Sequence, residues 1–283
     1  RYIPHPRENL RILEQLRAMG VKHLHAKGQL SPLIRYDVNR EVFRKYMQNP
    51  DGDATRTLKE VAEEWIGPER APALIEAWNL AEQGYSTRPM WVHGLSSTRF
   101  LPGPLTPDPD ALTPEELSYC SHPSWKEVER LPRRHFLRAL HMDETFRSEM
   151  VEAYHQQTLP LLDRSESLLR AEAPRCTHAA KDCLCEQADH VASFQLCMRS
   201  LWNWLEAGSY LAPGPGKPDP QRGIQQIIDD EIAVTERMIE LYSSRLHEFM
   251  QVGEVDKILR LRSPHFLEQL QDRIDMMKRH RND

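Results

Sequence analysis

The chain has 283 residues, of which 40% are hydrophobic and 28% are charged, and its formal net charge is −5. This length can bury one large core or two smaller ones, and the composition is typical of globular proteins. The acidic balance argues against a nucleic-acid-binding surface spread over the chain. No apolar run approaches the roughly 20 residues that a membrane-spanning helix needs. We therefore expect neither nucleic acid nor a membrane as a partner.

The first residues predict a helix followed by a strand. A helix is predicted over residues 6–18, because a proline lies in its first turn and a glycine follows its last turn. Segment 20–28, GVKHLHAKG, is typical of one short strand carrying Val21 and Leu24. A single strand cannot satisfy its own backbone groups, and the sequence at Arg1 reads like the interior of a longer polypeptide. We interpret this part as the remnant of an α/β unit whose other strands precede the chain.

Three further helices are predicted before residue 88. Asn39 is a suitable N-cap for a helix that ends at the turn NPDG, residues 49–52. Residues 55–66 carry apolar side chains at helical spacing, and a glycine closes this second helix. Pro68 opens the third helix. Together these helices predict a small helical subdomain.

A proline-rich loop is predicted between residues 88 and 116, where six prolines interrupt any regular element. Long loops in compact domains are often functional. Trp91 and Arg99 lie in this loop; aromatic rings stack on sugars, and arginine binds hydroxyl or carboxylate groups. Two interpretations stay open: a surface that contacts a ligand, and a strap that packs Trp91 and Phe100 on the helices.

The second half of the chain is predicted to be helical throughout. Thr113 and Glu116 have the spacing of a capping box that starts a short helix. The helices predicted after it cover residues 143–172, with a kink at Pro160, 187–211, 223–249 and 263–279.

The predicted fold class is mainly α: an antiparallel helical bundle preceded by a small helical subdomain and a short α/β remnant. The expected regions are residues 1–38 for the remnant of a (β/α)-barrel unit, residues 39–117 for the small helical subdomain with its proline-rich loop, and residues 118–283 for the bundle.

Candidate chemistry in the second half is weak. Zinc-ligand types occur at Cys176, His178, Cys183 and Cys185, but they form CxH and CxC pairs where structural sites use CxxC. We expect unpaired thiols in a loop between helices and no metal, with a zinc-stabilised module as the alternative. The acidic triplet 229–231 is expected to be a solvated helix face. No nucleophile, phosphate-binding or dinucleotide motif occurs, so we predict no catalytic residue and no cofactor.

The run from residue 32 to residue 83 is similar to the segment that follows the catalytic barrel in some bacterial glycoside-hydrolase-like proteins. In those proteins a short helix follows an asparagine, and a pair of helices joined by a sequence of the form F/I-G-P-E-x-A comes next. This chain has them in REVFRKYM and in WIGPERA. RFLPGPLTPDPDALTPEE, residues 99–116, resembles the arginine-proline loop of the same proteins. The resemblance covers residues 1–120 by motif and the later helices only by pattern.

This resemblance implies that segment 20–28 is the last strand of a (β/α)-barrel. The catalytic carboxylates of such a hydrolase would lie on earlier strands, outside this chain. The positions that the resemblance places at a shared sugar-binding cleft are Tyr36, Asn39, Trp91 and Arg99.

The expected function is therefore that of an accessory helical region, which supports the barrel and lends one wall of its sugar-binding cleft without being catalytic alone. Its expected partners are the upstream catalytic barrel of the same polypeptide and a carbohydrate. The alternative is a non-enzymatic helical scaffold or dimerisation module that uses exposed apolar helix faces. Convergence of the four cleft residues in one pocket favours sugar binding, and their burial in helix packing favours the scaffold.

Overall fold

The structure is a computed structural model, and its described residues contain eight α-helices and no strand. This confirms the predicted mainly α fold class, and the contacts between helices fit a bundle. The helices are α1 Pro6–Ala18, α2 Val38–Gln48, α3 Ala54–Ile66, α4 Ala71–Ser86, α5 Leu159–Glu172, α6 His178–Leu211, α7 Ile224–Ser243 and α8 Phe266–Arg279. The described residues are 4–24, 34–49, 53–87, 105–108, 111–113, 116, 156–211, 222–244 and 266–283.

The chain forms two compact units, each built from two separate stretches. Unit 1 comprises Arg1–Arg88 and Gln157–Phe194, and unit 2 comprises Pro89–Gln156 and Gln195–Asp283. Helix α6 supplies residues to both units. The three consecutive regions expected from the sequence stay a prediction.

The first helix ends in a way that explains why the predicted strand does not begin at Gly20. Gly20 has a φ of +78°, and its N–H donates to the carbonyl of Arg17. The N–H of Val21 donates to the carbonyl of Leu16. These two bonds form a Schellman motif, so Val21 completes the helix cap instead of starting a strand. Residues 20–24 contain no strand, and the rest of segment 20–28 lies outside the described residues.

Helices α2, α3 and α4 occur where the sequence predicts them, with one correction at the first cap. The N-cap of α2 is Asp37, whose carboxylate accepts from the N–H of Arg40, and the predicted cap Asn39 lies inside the helix. Both residue types cap helices well, which is why the sequence alone favoured the wrong one. Gly67 joins α3 to α4 with a φ of +86°, a backbone conformation that residues with a side chain rarely adopt.

The core of unit 1 lies between α4 and the helices around it. Trp78, Leu74 and Leu162 are fully buried there. Close packing of α4 on α5 depends on Gly84, because a Cβ at this position would lie 3.2 Å from the backbone oxygen of Thr158 and 3.2 Å from Leu162 Cγ. The small residue thus sets how closely the two helices approach.

Helix α6 begins nine residues earlier than predicted, and this corrects the interpretation of the cysteine segment. His178, Cys183 and Cys185 lie in the first turns of a helix of 34 residues and not in a loop between helices. The preceding helix α5 begins at Leu159 with Pro160 in its first turn, directly after a π-helical turn at residues 156–158. The residues of the predicted helix before this turn lie outside the described ones.

Unit 2 has an apolar core built by α7 and α8, to which the proline-rich segment contributes. Leu105, from that segment, is 2% exposed and packs among Ile227, Ile228, Ile274 and Met277. The described part of the segment therefore packs on the helices as a strap, while Trp91 and Phe100, on which the two interpretations of this loop differ, lie outside the described residues.

Candidate functional site

The two predicted cleft residues that the structure describes are both held by neighbouring elements of unit 1. The backbone N–H of Tyr36 donates to Glu186 at 2.8 Å, and the side chain of Gln187 donates to the Tyr36 carbonyl at 2.6 Å. Asn39 accepts from the backbone N–H of His5 at 2.8 Å. Tyr36 thus fixes the start of α2 to α6, while Asn39 fixes α2 to the residue before α1. Trp91 and Arg99 lie outside the described residues, so the predicted cleft stays a prediction.

An aromatic cluster surrounds Tyr36. Its ring meets that of Trp65 edge-on at 5.5 Å between centroids, and Trp65 meets Trp78 in the same way at 5.7 Å. The indole N–H of Trp78 donates to Gln187 at 3.0 Å in the buried core. The guanidinium of Arg35 lies 5.1 Å from the Tyr36 ring centre. Such edge-on pairs and the cation–π contact stabilise packing.

A cleft opens between α1 and α4 of the same unit, with a cavity volume of about 290 Å³. The most buried charged residue of its lining is Glu82, which is 8% exposed. The Glu82 carboxylate accepts from the backbone N–H groups of Arg7 at 3.2 Å and Glu8 at 2.5 Å. His5, the N-cap of α1, makes no side-chain cap bond. Glu82 therefore caps this helix from a position 74 residues away.

Burial raises the pKa of Glu82 above its ordinary value, although the two backbone N–H bonds act in the opposite direction. Beside it lies Asn79, which is 9% exposed and whose Oδ1 has no hydrogen-bond partner. Buried polar atoms are rarely left without a partner. The Glu82 carboxyl is thus desolvated, and the Asn79 amide oxygen is buried away from solvent without a hydrogen-bond partner.

The rim of the cleft is charged. Arg11 donates through Nε to Glu8 at 2.6 Å. The remaining wall is polar, and the complete lining consists of Arg7, Glu8, Arg11, Asn79, Glu82 and Gln83.

Unit 2 contains a buried ionic network. Glu231, on α7, is fully buried and accepts from Ser200 Oγ at 2.5 Å and from Asn203 Nδ2 at 2.8 Å, both on α6. Nη2 of Arg273, on α8, also donates to Glu231. The Nε and Nη1 atoms of Arg273 are buried without a partner. One carboxylate therefore connects three helices, and the expectation of a solvated face is wrong for this member of the triplet.

The other two acidic residues of the triplet form ion pairs. Asp229 accepts from Arg281 at 2.6 Å and 2.7 Å, and Asp230 accepts from Arg222. Arg222 also donates to Glu206 at 2.6 Å. These bonds connect the residues flanking α7 and α8 to neighbouring helices.

The strap of unit 2 is fastened by charge. The predicted capping box forms: the N–H of Thr113 donates to Glu116 at 2.9 Å, and the N–H of Glu116 donates to Thr113 Oγ1 at 3.2 Å. Arg279 donates to the same carboxylate at 2.6 Å, and Nε2 of His280 lies 3.1 Å from it. These partners, first the Thr113 N–H and then His280, lower the pKa of Glu116 to about 2.

The cysteines do not form a metal site within the described residues, where no three His, Cys, Asp or Glu side chains are grouped to hold an ion. Cys183 and Cys185 are two residues apart on a helix and so face different directions. Burial raises the pKa of the Cys183 thiol, which disfavours the thiolate that metals and electrophiles require. Both thiols are free. No helix in the described ranges is long and apolar enough to cross a membrane.

Sequence reasoning missed Glu82 and Glu231, although a signal was present. Each lies four residues after a buried apolar residue of the same helix, Trp78 and Ile227. A carboxylate on the apolar stripe of a helix must find a partner or neutralise. The position of both glutamates on an apolar helix face therefore indicates that they are buried, but it does not show which group bonds to each carboxylate.

No family model, curated protein or solved structure matches this chain.

Proposed function

We propose that this chain is a non-catalytic helical module that supports a catalytic domain, and that this domain is the barrel of a glycoside-hydrolase-like protein. The proposal of a non-catalytic supporting module rests on one observation: buried polar side chains form hydrogen bonds between the elements of the chain. Glu82 caps α1, Glu186 and Gln187 hold the backbone before α2, and Glu231 connects α6, α7 and α8. Each of these side chains forms hydrogen bonds that join elements distant in sequence.

The hydrolase half of the proposal rests on the motif of residues 32–83. This motif folds as α2, α3 and α4, and its G-P-E sequence stands at the junction where Gly67 has a positive φ. That layout agrees with the helix order that the resemblance implies. The strand predicted at segment 20–28 lends no support, because its first residues belong to the cap of α1.

The sugar-facing part of the role concerns Tyr36 and Asn39. Tyr36 and Asn39 are half-buried and engaged in packing between elements, which is the arrangement expected of a scaffold. We therefore propose support of the barrel as the main role, with one face of Tyr36 as the sugar contact.

The reading frame that encodes this chain provides the decisive test. The proposal requires a (β/α)-barrel in the same polypeptide, and it expects that polypeptide to unfold at a lower temperature when residues 1–283 are removed. A frame without a barrel contradicts the hydrolase assignment. Turnover of aryl-glycosides by the isolated 283 residues contradicts the non-catalytic role.

A second candidate, a dimerisation module, is favoured by exposed apolar side chains at the start of the chain. Ile12, Met19 and Val21 on or next to α1 are 41%, 78% and 40% exposed. Exposed apolar groups at neighbouring positions are typical of contact surfaces. Sedimentation equilibrium tests this candidate: it predicts a dimer that Met19→Lys converts to a monomer, and a parent chain that is already monomeric contradicts it.

A further inference from the structure

We propose that His280 is a pH-sensitive latch, which binds the strap tightly to α8 while the imidazole ring is protonated and less tightly once the ring is neutral. The strap is the described part of residues 105–116. Its Leu105 packs on α8, and its Glu116 contacts the end of α8 and His280. This inference is independent of the proposed supporting role, because it concerns contacts within unit 2 alone.

The first argument is the geometry of the imidazole ring. Nδ1 of His280 lies 2.5 Å from Oδ2 of Asp283, and Nε2 lies 3.1 Å and 3.2 Å from the two carboxylate oxygens of Glu116. A carboxylate only accepts hydrogen bonds, so each of the two ring nitrogens needs a proton of its own. Both nitrogens carry a proton only in the imidazolium form. The contact with the strap therefore requires the charged ring.

The second argument is the set of charges around the ring. Helix α8 ends directly before His280, and the dipole at the C-terminal end of a helix favours a cation. The described charged groups against the ring are two carboxylates, Asp283 in the turn after α8 and Glu116 in the strap, and their bonds raise the pKa of His280. The carboxylates of α7 that bond to this part of the chain have other partners: Arg281 for Asp229, Arg273 for Glu231 and Lys278 for Glu236.

Loss of the proton makes the two carboxylates compete for a single N–H group. Asp283 is the closer acceptor, so the remaining proton stays on Nδ1. Nε2 then presents a lone pair to Glu116, and repulsion replaces the hydrogen bond. Glu116 is 8% exposed, so its carboxylate cannot turn into solvent while the strap is bound. Deprotonation of His280 therefore weakens the attachment of the strap at this point.

Arg279 limits how far the strap opens. Its guanidinium donates to Glu116 at 2.6 Å, and it stays charged throughout the titration range of histidine. Loss of one hydrogen bond between charged groups shifts an equilibrium by about tenfold or more. We therefore expect the strap to remain bound at alkaline pH but to open at least about tenfold more often, which uncovers Ile274 and Met277 of α8.

The test is hydrogen exchange of backbone amides in the whole chain, followed by NMR at about pH 5.5 and about pH 8.5, on either side of the titration range of histidine. The amides of Thr113 and Glu116 report on the strap, because both are bonded in the capping box. The amide of Ile232, buried on α7, reports on unfolding of the unit. After correction for intrinsic exchange, the opening constant of the strap should exceed that of Ile232 and should rise at least about tenfold between the two pH values.

Two variants separate the latch from a general weakening of the strap. Asp283→Asn replaces a carboxylate by an amide whose N–H can donate to Nδ1, so the neutral ring still donates from Nε2 to Glu116. The pH dependence should therefore disappear in this variant. Its side chain is 42% exposed, so the fold is kept. Asp229→Asn is the matched control, because it removes a carboxylate that pairs with Arg281, and it should keep the full change.

The proposal is supported if the strap opens more at the higher pH in the parent chain and in Asp229→Asn, but equally at both pH values in Asp283→Asn. It is overturned if opening in the parent does not change with pH, if Asp283→Asn keeps the change, or if Asp229→Asn loses it. Exchange of Thr113 only together with Ile232 also overturns it, because the strap would then open only when the whole unit unfolds.

Discussion

The buried pair of Glu231 and Arg273 is expected to be asymmetric, with the glutamate the more costly residue to replace. In Arg273→Met the carboxylate keeps its bonds from Ser200 and Asn203. In Glu231→Met the guanidinium loses the acceptor of Nη2 while Nε and Nη1 already have none. The buried guanidinium of Arg273 would then have no acceptor, and the side-chain donors of Ser200 and Asn203 on α6 would lose the acceptor that Glu231 provides.

The expected losses in the free energy of unfolding are about 3 kcal/mol for Arg273→Met and about 5 kcal/mol for Glu231→Met, the two ends of the range for breaking a buried ion pair. Replacing both residues removes both charges, so the double variant should lie about 3 kcal/mol below the sum of the single losses. Urea-induced unfolding followed by far-UV circular dichroism measures all three. Glu231→Gln, which keeps the shape and removes the charge, is the milder variant if Glu231→Met does not fold.

The matched control is an exposed ion pair that joins the same two helices, α7 and α8. Lys278, on α8, lies 3.0 Å from Glu236, on α7, and both side chains are more than half exposed. Lys278→Met should therefore cost no more than about 1 kcal/mol. Equal losses in the two buried single variants, or a double variant equal to their sum, would refute the assignment of Glu231 as the centre of the network.

Three further expectations concern single contacts. Gly84→Ala should lower the unfolding free energy by about 1 kcal/mol, because overpacking against Leu162 outweighs the gain in helix propensity; a stabilised variant would mean that α4 and α5 can separate freely. Glu82→Ala should cost about 2 kcal/mol, the upper value for a lost helix cap, and an unchanged urea midpoint would contradict its capping role. Bonds to Asp283 and then to Glu116 raise the pKa of His280 above 6.5, so its contribution to stability is complete below that value and is lost as pH rises through the higher folded pKa. Thermal midpoints measured across this range should fall more steeply in the parent than in His280→Asn, and parallel curves would exclude the contribution.

The sequence predicted those features that depend on neighbouring residues. The capping box of Thr113 and Glu116 is an example, because its two bonds join residues three positions apart. The C-terminal end of α3 was also predicted, since Gly67 stops the helix there. In such cases the local chemistry allows few alternatives.

The errors occurred where two local interpretations were equally good. Val21 suits a strand, but its N–H completes the cap of α1. Cys183 and Cys185 suggested a loop, but cysteine is readily buried, and Cys183 is fully buried on α6. Whether such a segment forms a helix, a strand or a loop depends on which of its side chains are buried by the rest of the protein. A short stretch of sequence does not contain that information.

The long-range polar contacts could not be predicted at all. Glu82 meets Glu8 across 74 residues, and Arg273 meets Glu231 across 42. Helical spacing indicates that such a carboxylate is buried, but the partner depends on which helices come together. The candidate site between α1 and α4 depends on one such contact, and this is why no motif marked it.

The fastening of Glu116 to Arg279 has a consequence for synthesis on the ribosome. The two residues are 163 positions apart, and at about 5–20 residues per second the second emerges about 8–33 s after the first. During that interval Leu105, which is buried against Ile274 and Met277 of α8 in the folded protein, has no α8 to cover it. A chaperone that holds nascent apolar segments would therefore be expected to raise the yield of this chain more than that of a protein whose core forms from adjacent helices.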